Sequence, residues 1–323
     1  GFDKNPQMIN PPAGVIVSAN HQPEDFGTGV VPGYYNLDNR VKRIAKLLGE
    51  KEHGWTAEDM QAIQLDTRSN YSLRVRDGAV RGLETQGAVQ KDLLSAQAFK
   101  LLKAWNGDHL QDSIGPTIFH TLHYNLIEMT YKDEFGDELF KAFLRTRLPD
   151  RSIEKIIDIR TSPWWDNAKT DKRETRREIL IAAWEKTISH LRELVGPDPA
   201  AWHWEKVHTV EYVHAIGRKK PFDKVFNIGP LKAPGSRDVP NYLGFKLTPA
   251  PHKVTLGPST RRIVDFAEPE NSLGINPTGQ SGYFYNANYD DQASLYMAGG
   301  YRGQLIDRDD ILESKVSSLV LNP

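Results

Sequence analysis

The chain has 323 residues, of which 41 are basic and 42 acidic, and its formal net charge is -1. This balance gives no electrostatic reason to expect a nucleic acid or an anionic membrane surface as partner. The absence of cysteine excludes disulfides, thiolate metal sites and a cysteine nucleophile. No apolar run approaches about eighteen residues, so the sequence predicts no membrane span.

The first predicted element is a short strand near the start of the chain. Two prolines and Gly14 precede the run Val-Ile-Val at residues 15–17, and a β-branched run after such residues favours a buried strand. The strand would end at the polar pair Asn20 and His21. The sequence therefore predicts a carboxamide side chain at the exit of a hydrophobic strand.

The middle of the chain, residues 36–204, is predicted to be mainly helical. Apolar residues there recur with the helical period in at least six segments. In chain order the segments are NLDNRVKRIAKLLGE from Asn36, WTAEDMQAIQLD from Trp55, DLLSAQAFKLLKAWNGD from Asp92, PTIFHTLHYNLIEMTY from Pro116, DELFKAFLRTRL from Asp137 and TDKRETRREILIAAWEKTISHLREL from Thr170.

Two of these helices carry recognisable ends. Asn36 or Asp38 is the candidate cap of the first helix, and Gly49 is its predicted stop. Thr56 is the predicted N-cap of the second helix, with Asp59 in the capping-box position.

The helical period fails from about residue 205, where glycine, proline and aromatic residues take over. Residues 1–35 and 205–323 are therefore predicted to mix strands and loops, with short strands near RRIVDFA (261–267) and SSLVLNP (317–323). No internal repeat and no proline-rich or serine-rich linker marks a boundary. The sequence thus predicts one structural unit over residues 1–323.

Two groups of side chains are candidates for a chemical site. His120 and His123 lie three residues apart on a predicted helix, but the Glu of a metallopeptidase helix does not stand between them. Packing on a half-buried helix face is the favoured interpretation. A second group of aromatic and imidazole rings could stack on a sugar or a base, although ordinary core packing is favoured there too. Its members are Trp202, His203, Trp204, His208 and His214.

Six segments in chain order carry a family resemblance. They are NPPAGVIVSANHQP from Asn10, GYYNLDNRVKRIAKLL from Gly33, WTAEDMQAIQLDTRS from Trp55, AWNGD from Ala104, FDKVFNIGPLKAPG from Phe222 and SLGINPTGQSGYFYNANYDDQASLYMAGGYR from Ser272. Together they resemble the penicillin amidase family of N-terminal-nucleophile hydrolases. The resemblance implies an α+β fold, an αββα sandwich with a large helical portion. It also implies a precursor that cuts itself into a small and a large chain, residues 1–323 matching the C-terminal part of the large chain.

The resemblance also implies a mechanism. In this family the first residue of the large chain, usually serine, attacks an amide carbonyl, and its own α-amino group serves as base. Asn20 matches the asparagine whose side-chain amide helps to form the oxyanion hole. Arg40 matches the arginine beside that centre, which orients the substrate or the asparagine. From the residues alone, the favoured interpretations are a turn-capping residue for Asn20 and a surface helix charge for Arg40, and the resemblance reverses that preference.

The nucleophile is the main departure from the family pattern. Gly1 has no side chain, and no serine stands in the expected place before NPPAG. The chain begins with neither methionine nor a leader, so we expect it to be a cut piece. The remainder of the precursor, carrying the nucleophile, is thus the predicted protein partner, and this chain alone should hydrolyse nothing.

Further properties follow only from the resemblance. Calcium binding is possible, with Asp25 and Asp38 as the available aspartates near the matched site, and no organic cofactor is implied. The family is usually exported, which implies a periplasmic or secreted bacterial protein.

Two functions of different classes were considered. The first is an amidohydrolase that removes an acyl group from a β-lactam, an acyl-homoserine lactone or a similar N-acyl small molecule. The second is an inactive helical binding or scaffold protein, which could hold sugars through Trp202 and Trp204.

Overall fold

The computed structural model describes residues 5–25, 27, 29–84 and 87–321, with the side chain of Ala88 left aside. The chain forms two compact units. The helical unit comprises Gly1–Glu52, Asp66–Val210 and Lys232–Leu256, and the second unit comprises His53–Leu65, Glu211–Leu231 and Gly257–Pro323. This division differs from the single unit expected from the sequence. Each unit is assembled from three separate segments, so no one linker could mark the boundary.

The α-helices account for most of the regular structure. They are α1 (Asn39–Leu48), α2 (Ala57–Gln64), α3 (Asn70–Leu83), α4 (Leu93–Ala104), α5 (Gly115–Leu144), α6 (Leu148–Ile156), α7 (Arg176–Leu194), α8 (Asp223–Phe226), α9 (Ala293–Met297) and α10 (Arg308–Ser314). Each of the six predicted helical segments contains a helix, whereas α3 and α6 were not predicted. Helices α8, α9 and α10 were not predicted either, and they lie in the region expected to mix strands and loops.

The predicted helix ends are found where expected. Helix α1 follows Asp38 and ends before Gly49. Before α2, the side chain of Thr56 accepts from the backbone N–H of Asp59 at 3.3 Å, and the Asp59 carboxylate accepts from the Thr56 N–H at 2.9 Å. This reciprocal capping box satisfies two backbone donors that the first helical turn leaves open.

Gly136 divides the longest helix. Its backbone, with φ 65° and ψ 174°, is not helical, although α5 continues on both sides. Residues other than glycine rarely adopt this conformation. The two helices predicted here, from Pro116 and from Asp137, are therefore the two segments of α5.

The core of the helical unit lies mainly between α5 and α7. Leu122 and Leu126 of α5 and Leu180 and Trp184 of α7 are among its fully buried side chains. The indole N–H of Trp184 donates to the Ser95 hydroxyl at 2.8 Å, so the ring is buried without an unpaired donor.

The strands are short and form small sheets. They are β1 (Thr209–Tyr212), β2 (Ile228–Lys232), β3 (Gly244–Phe245), β4 (Val254–Leu256), β5 (Arg261–Ile263), β6 (Leu273–Ile275) and β7 (Arg302–Gly303). Strands β1 and β2 pair, β3 pairs with β4, and β5, β6 and β7 form one three-stranded sheet in that order. The pairs β3–β4, β5–β6 and β6–β7 are antiparallel. The fold is thus α+β, while the αββα sandwich stays a prediction.

Of the predicted strands, the one near 261–267 is confirmed as β5, but two others are wrong. Residues 15–17 are irregular, and Ile16 is 64% exposed. Residues 317–321 are also irregular, with Leu319 84% exposed, and the last two residues of that prediction lie outside the described part. Within the described residues no neighbouring strand offers these apolar runs a hydrogen-bonded ladder, so their β propensity is not realised.

The aromatic and imidazole cluster is largely a core element of the helical unit. Trp202, Trp204 and His208 are 0% exposed, and the rings of Trp204 and His208 stack with centroids 4.5 Å apart. The prediction of core packing is therefore confirmed for these three. Because the two indoles have no free face, the idea that they hold a sugar is wrong.

His120 and His123 are more deeply buried than the sequence indicated. Each is 3% exposed rather than half-buried. His120 Nε2 lies 2.9 Å from His109 Nε2, and His123 Nε2 lies 2.9 Å from the Tyr71 hydroxyl. The two imidazoles thus take part in separate hydrogen bonds.

A search of the described helices for a membrane span finds none with the length and hydropathy that a span requires.

Candidate active site

Asn20 lies in an exposed turn before α1. Its backbone is left-handed, with φ 62°, a conformation that asparagine tolerates better than most residues. Its carbonyl accepts from the backbone N–H of Asn36 at 2.9 Å, and the preceding Ala19 is buried. The segment is therefore held at Ala19 and Asn36 instead of by the predicted strand.

Asn20 and Arg40 are in direct contact. The Nη1 of Arg40 donates to Asn20 Oδ1 at 2.9 Å. A guanidinium has donors only, so it fixes the orientation of the amide, with the oxygen toward Arg40 and the NH2 group on the opposite side. The pair thus presents two amide donors on an exposed side chain.

Arg40 itself is held on α1 beside an aromatic ring. The carbon of its guanidinium lies 4.8 Å from the centroid of the Tyr242 ring, within cation–π range. Burial lowers the pKa of Arg40 from its usual value, while neighbouring Tyr242 raises it. An arginine remains charged under these conditions, so the guanidinium keeps its hold on Asn20.

Arg147 connects the surroundings of this pair. Its Nε donates to Asn36 Oδ1 at 2.9 Å, and its Nη2 donates to the Tyr242 hydroxyl at 3.4 Å. Its Nη1 lies 3.8 Å from Asp150 Oδ2, which also accepts from Arg237 at 3.0 Å. Asp150 is 5% exposed, so a buried ion cluster lies next to the half-buried Arg40 and the exposed Asn20.

Two spaces adjoin these residues within the helical unit. A small cavity of about 20 Å³ is lined by Arg40, Arg147, Tyr71 and Asp238 among others. A larger groove of about 540 Å³ is lined partly by Tyr242 and Arg147. Among the described residues that line it, the charged side chains are all cations and none is a carboxylate. The cations are Lys141, Arg145, Arg147, Arg237 and Lys246.

The structure brings together the two residues that the sequence selected. Sequence reasoning missed Arg147 and Tyr242 and saw Asn36 only as a helix cap. These three come from segments up to about two hundred residues apart. Asn36 lies within the family-like segment from Gly33, but Arg147 and Tyr242 lie outside all six segments, so no local signal identified those two. Gly1, where the nucleophile was sought, lies outside the described residues.

The two aspartates considered for calcium are engaged elsewhere. Asp25 Oδ1 accepts from the backbone N–H groups of Gly27 and Gly29 at 2.8 and 3.0 Å. Asp38 pairs with Lys42 at 2.6 Å. No group of three metal-ligating side chains is found among the described residues. Calcium binding therefore stays a prediction of the resemblance, without a donor set here.

Comparison with known proteins places the chain in a family. The sequence profile of the penicillin amidase family matches residues 1–313. An acyl-homoserine lactone acylase, QuiP, of Pseudomonas fluorescens strain Pf0-1 is 26% identical over 319 residues, covering 93% of this chain and 37% of the relative. The penicillin acylase 2 proenzyme of Pseudomonas sp. strain SE83 is 22% identical over 327 residues, covering 98% of this chain and 40% of the relative.

A solved structure shares the fold. The thermostable penicillin G acylase from Alcaligenes faecalis matches with a TM-score of 0.58 and 18% identity, over 100% of this chain and 60% of that chain. The chain spans about two fifths of the length of the curated relatives it matches. On the profile match over residues 1–313, the chain belongs to the penicillin amidase family.

Proposed function

We propose that the protein containing this chain hydrolyses the linear amide bond of N-acyl small molecules and releases the acyl group. The main support for the proposal is the Asn20–Arg40 pair, in which a hydrogen bond of 2.9 Å joins the two side chains at an exposed turn. The names of the curated relatives, acyl-homoserine lactone acylases and a penicillin acylase, support an amide as the substrate.

The proposed role of Asn20 is to stabilise the oxyanion. When a nucleophile adds to an amide carbonyl, negative charge develops on the oxygen, and a donor fixed beforehand lowers the barrier. Arg40 accounts for the fixed orientation, because it occupies Oδ1 and leaves the NH2 group to donate. One such donor typically contributes about 10²- to 10³-fold in kcat.

The nucleophile is proposed to be an N-terminal serine on a segment of the precursor that is not in this chain. Its α-amino group would take the hydroxyl proton and return a proton to the leaving amine. The relatives are two to three times longer than the matched region, which leaves room for that segment. Autoproteolytic maturation, export to the periplasm and calcium binding belong to the same proposal and rest on family membership.

The groove beside Tyr242 is the proposed place for part of the substrate. Its volume of about 540 Å³ lies in the range of small-molecule sites, roughly 300–1,000 Å³. Its lining combines large apolar side chains with cations, so it offers surface for an acyl chain as well as for a polar leaving group. The apolar side chains are Leu144, Phe245, Leu247 and Leu256.

The test is an activity assay on the full-length, matured protein. A chromogenic acyl-anilide and an N-acyl-homoserine lactone are incubated with it, and the released amine and fatty acid are quantified by mass spectrometry. We expect both products in equal amounts. If intact, correctly processed protein releases neither product from either substrate, the binding or scaffold alternative replaces this proposal.

A further inference from the structure

Arg147 hydrogen-bonds to two residues that contact the Asn20–Arg40 pair, Asn36 and Tyr242. The Asn36 amide oxygen accepts from its Nε at 2.9 Å, and the Tyr242 hydroxyl accepts from its Nη2 at 3.4 Å. The third nitrogen, Nη1, faces Asp150 at 3.8 Å. All three guanidinium nitrogens thus have different partners, and a planar guanidinium with three partners has one orientation.

Each of the first two partners controls a different part of Asn20. The backbone N–H of Asn36 donates to the Asn20 carbonyl at 2.9 Å, so Asn36 fixes the backbone. The Tyr242 ring lies 4.8 Å from the guanidinium carbon of Arg40, which in turn fixes the side-chain amide at 2.9 Å. Arg147 therefore acts on the backbone and on the amide of Asn20 through separate contacts.

Asp150 holds Arg147 from behind. It is 5% exposed and accepts from Arg237 at 3.0 Å, while its backbone carbonyl accepts from the Tyr71 hydroxyl at 3.1 Å. A buried carboxylate with these partners cannot move far without leaving charges unpaired. The cluster thus provides a rigid base under an exposed turn.

We propose that Arg147 is a positioning residue of the reaction, which sets the Asn20 amide through Asn36 and Tyr242. This inference rests on the proposed function. Asn20 adopts a left-handed backbone in an exposed turn, so it depends on outside contacts for its position. Donors must hold their geometry within about 0.5 Å, and a misplacement of about 1 Å can cost on the order of 10²-fold.

The test replaces Arg147 in the full-length, matured enzyme. Arg147→Met keeps the aliphatic stem but removes every donor, and we expect kcat to fall about 10- to 100-fold with KM within about twofold. Arg147→Lys keeps one donor group and should recover part of the loss. Arg151→Met, on an exposed position of α6, is the matched control and should keep the parental kcat.

A double-mutant cycle distinguishes positioning from general damage. If Arg147 acts through Asn20, adding Arg147→Met to Asn20→Ala should lower kcat by less than about twofold further. If the two losses multiply in full, or if Arg147→Met alone keeps the parental kcat, the inference is overturned. If Asn20→Ala alone keeps the parental kcat, the proposed function has failed instead.

A second variant covers the case in which Arg147→Met does not fold. Asn36→Ala removes the side-chain acceptor of Arg147 and keeps the backbone N–H that binds Asn20. We expect a smaller loss of kcat, about 3- to 10-fold, again non-additive with Asn20→Ala. A parental kcat for Asn36→Ala would contradict the positioning route.

Discussion

At the scale of single residues, the chemistry of two polar side chains settles the orientation of an amide. Coordinates alone often leave the oxygen and nitrogen of an asparagine side chain interchangeable. Here the partner is a guanidinium, which only donates, so the oxygen of Asn20 must face Arg40. Family resemblance selected both residues from the sequence. The hydrogen bond between them, with Arg40 as donor and Asn20 as acceptor, is seen only in the structure.

Replacing Arg40 should release that amide. Arg40→Met removes the donor and the charge beside Tyr242, so the Asn20 amide becomes free to rotate and presents its NH2 group only part of the time. We expect kcat to fall about 10-fold or more in the matured enzyme, because a donor that must reorganise during the reaction stabilises less charge. We expect the kcat of Arg40→Lys to lie between those of the parent and of Arg40→Met, because an ammonium keeps the charge but lacks the planar fork of donors.

Steady-state kinetics with a chromogenic acyl-anilide measures this effect. Lys46→Met, an exposed change on the same helix, serves as control. Arg40→Met with the parental kcat would show that Arg40 has no part in orienting Asn20.

At the scale of elements, all six predicted helical segments contain a helix, whereas only one of the three predicted strands, β5, is found. The helical period and the Thr56–Asp59 capping box are local properties, and the structure confirms them. A strand needs a partner, and the run at residues 15–17 has none within the described residues. Helices α3 and α6 were missed, although the apolar residues of α3 recur at the helical spacing of four and are buried. They are Tyr71, Val75, Ala79 and Leu83. Arg147 lies between two helices and carries no motif.

The non-helical backbone at Gly136 in α5 leads to a prediction about stability. Gly136→Ala introduces a Cβ into a backbone with φ 65° and ψ 174°. Apart from the chain neighbours and the adjacent helix backbone, no atom of the described residues lies within 4 Å of that Cβ. The cost is therefore conformational rather than steric, and we expect the free energy of unfolding to fall by about 1 to 3 kcal/mol. Urea titration of the matured protein measures this change.

Gly282→Ala is the matched control, since it also meets nothing within 4 Å and its φ lies outside the left-handed range. It should change the free energy of unfolding by less than about 0.5 kcal/mol. Equal stability of Gly136→Ala and the parent would mean that the helix straightens there without strain.

At the scale of the whole chain, the helical unit encloses five histidines in its core. Burial lowers the pKa of His109 and His123 to about 4, and that of His208 and His252 to about 3. Burial, together with neighbouring imidazoles, also holds the pKa of His120 well below its usual value. All five are therefore neutral in the folded protein at pH values where an unfolded chain would charge them.

This difference makes stability depend on pH. The unfolded histidines have pKa values near 6.5, so below about pH 6.5 the unfolded state binds more protons and stability falls as the pH falls. The loss continues down to the folded pKa values of about 4 and about 3. At pH 6, unfolding should take up about three to four protons from this cluster.

Urea unfolding at pH 7.5, 6.5 and 5.5, followed by tryptophan fluorescence, measures the slope. Three of the tryptophans, Trp184, Trp202 and Trp204, are fully buried in the same unit and report its unfolding. His208→Gln should reduce the proton uptake by about one proton. A constant free energy of unfolding between pH 7.5 and 5.5 would show that the buried histidines do not make stability depend on pH.

Whether Asn20 stabilises an oxyanion is decided by the kcat and the melting temperature of two variants of the full-length protein. Maturation of each is confirmed by intact mass. Asn20→Ala should lower kcat by about 10²- to 10³-fold with little change in KM or melting temperature. Asn20→Asp, which replaces the donor by a negative charge, should be at least as damaging. If matured Asn20→Ala turns over at the parental rate, Asn20 is a turn residue and the mechanism proposed for this site is wrong.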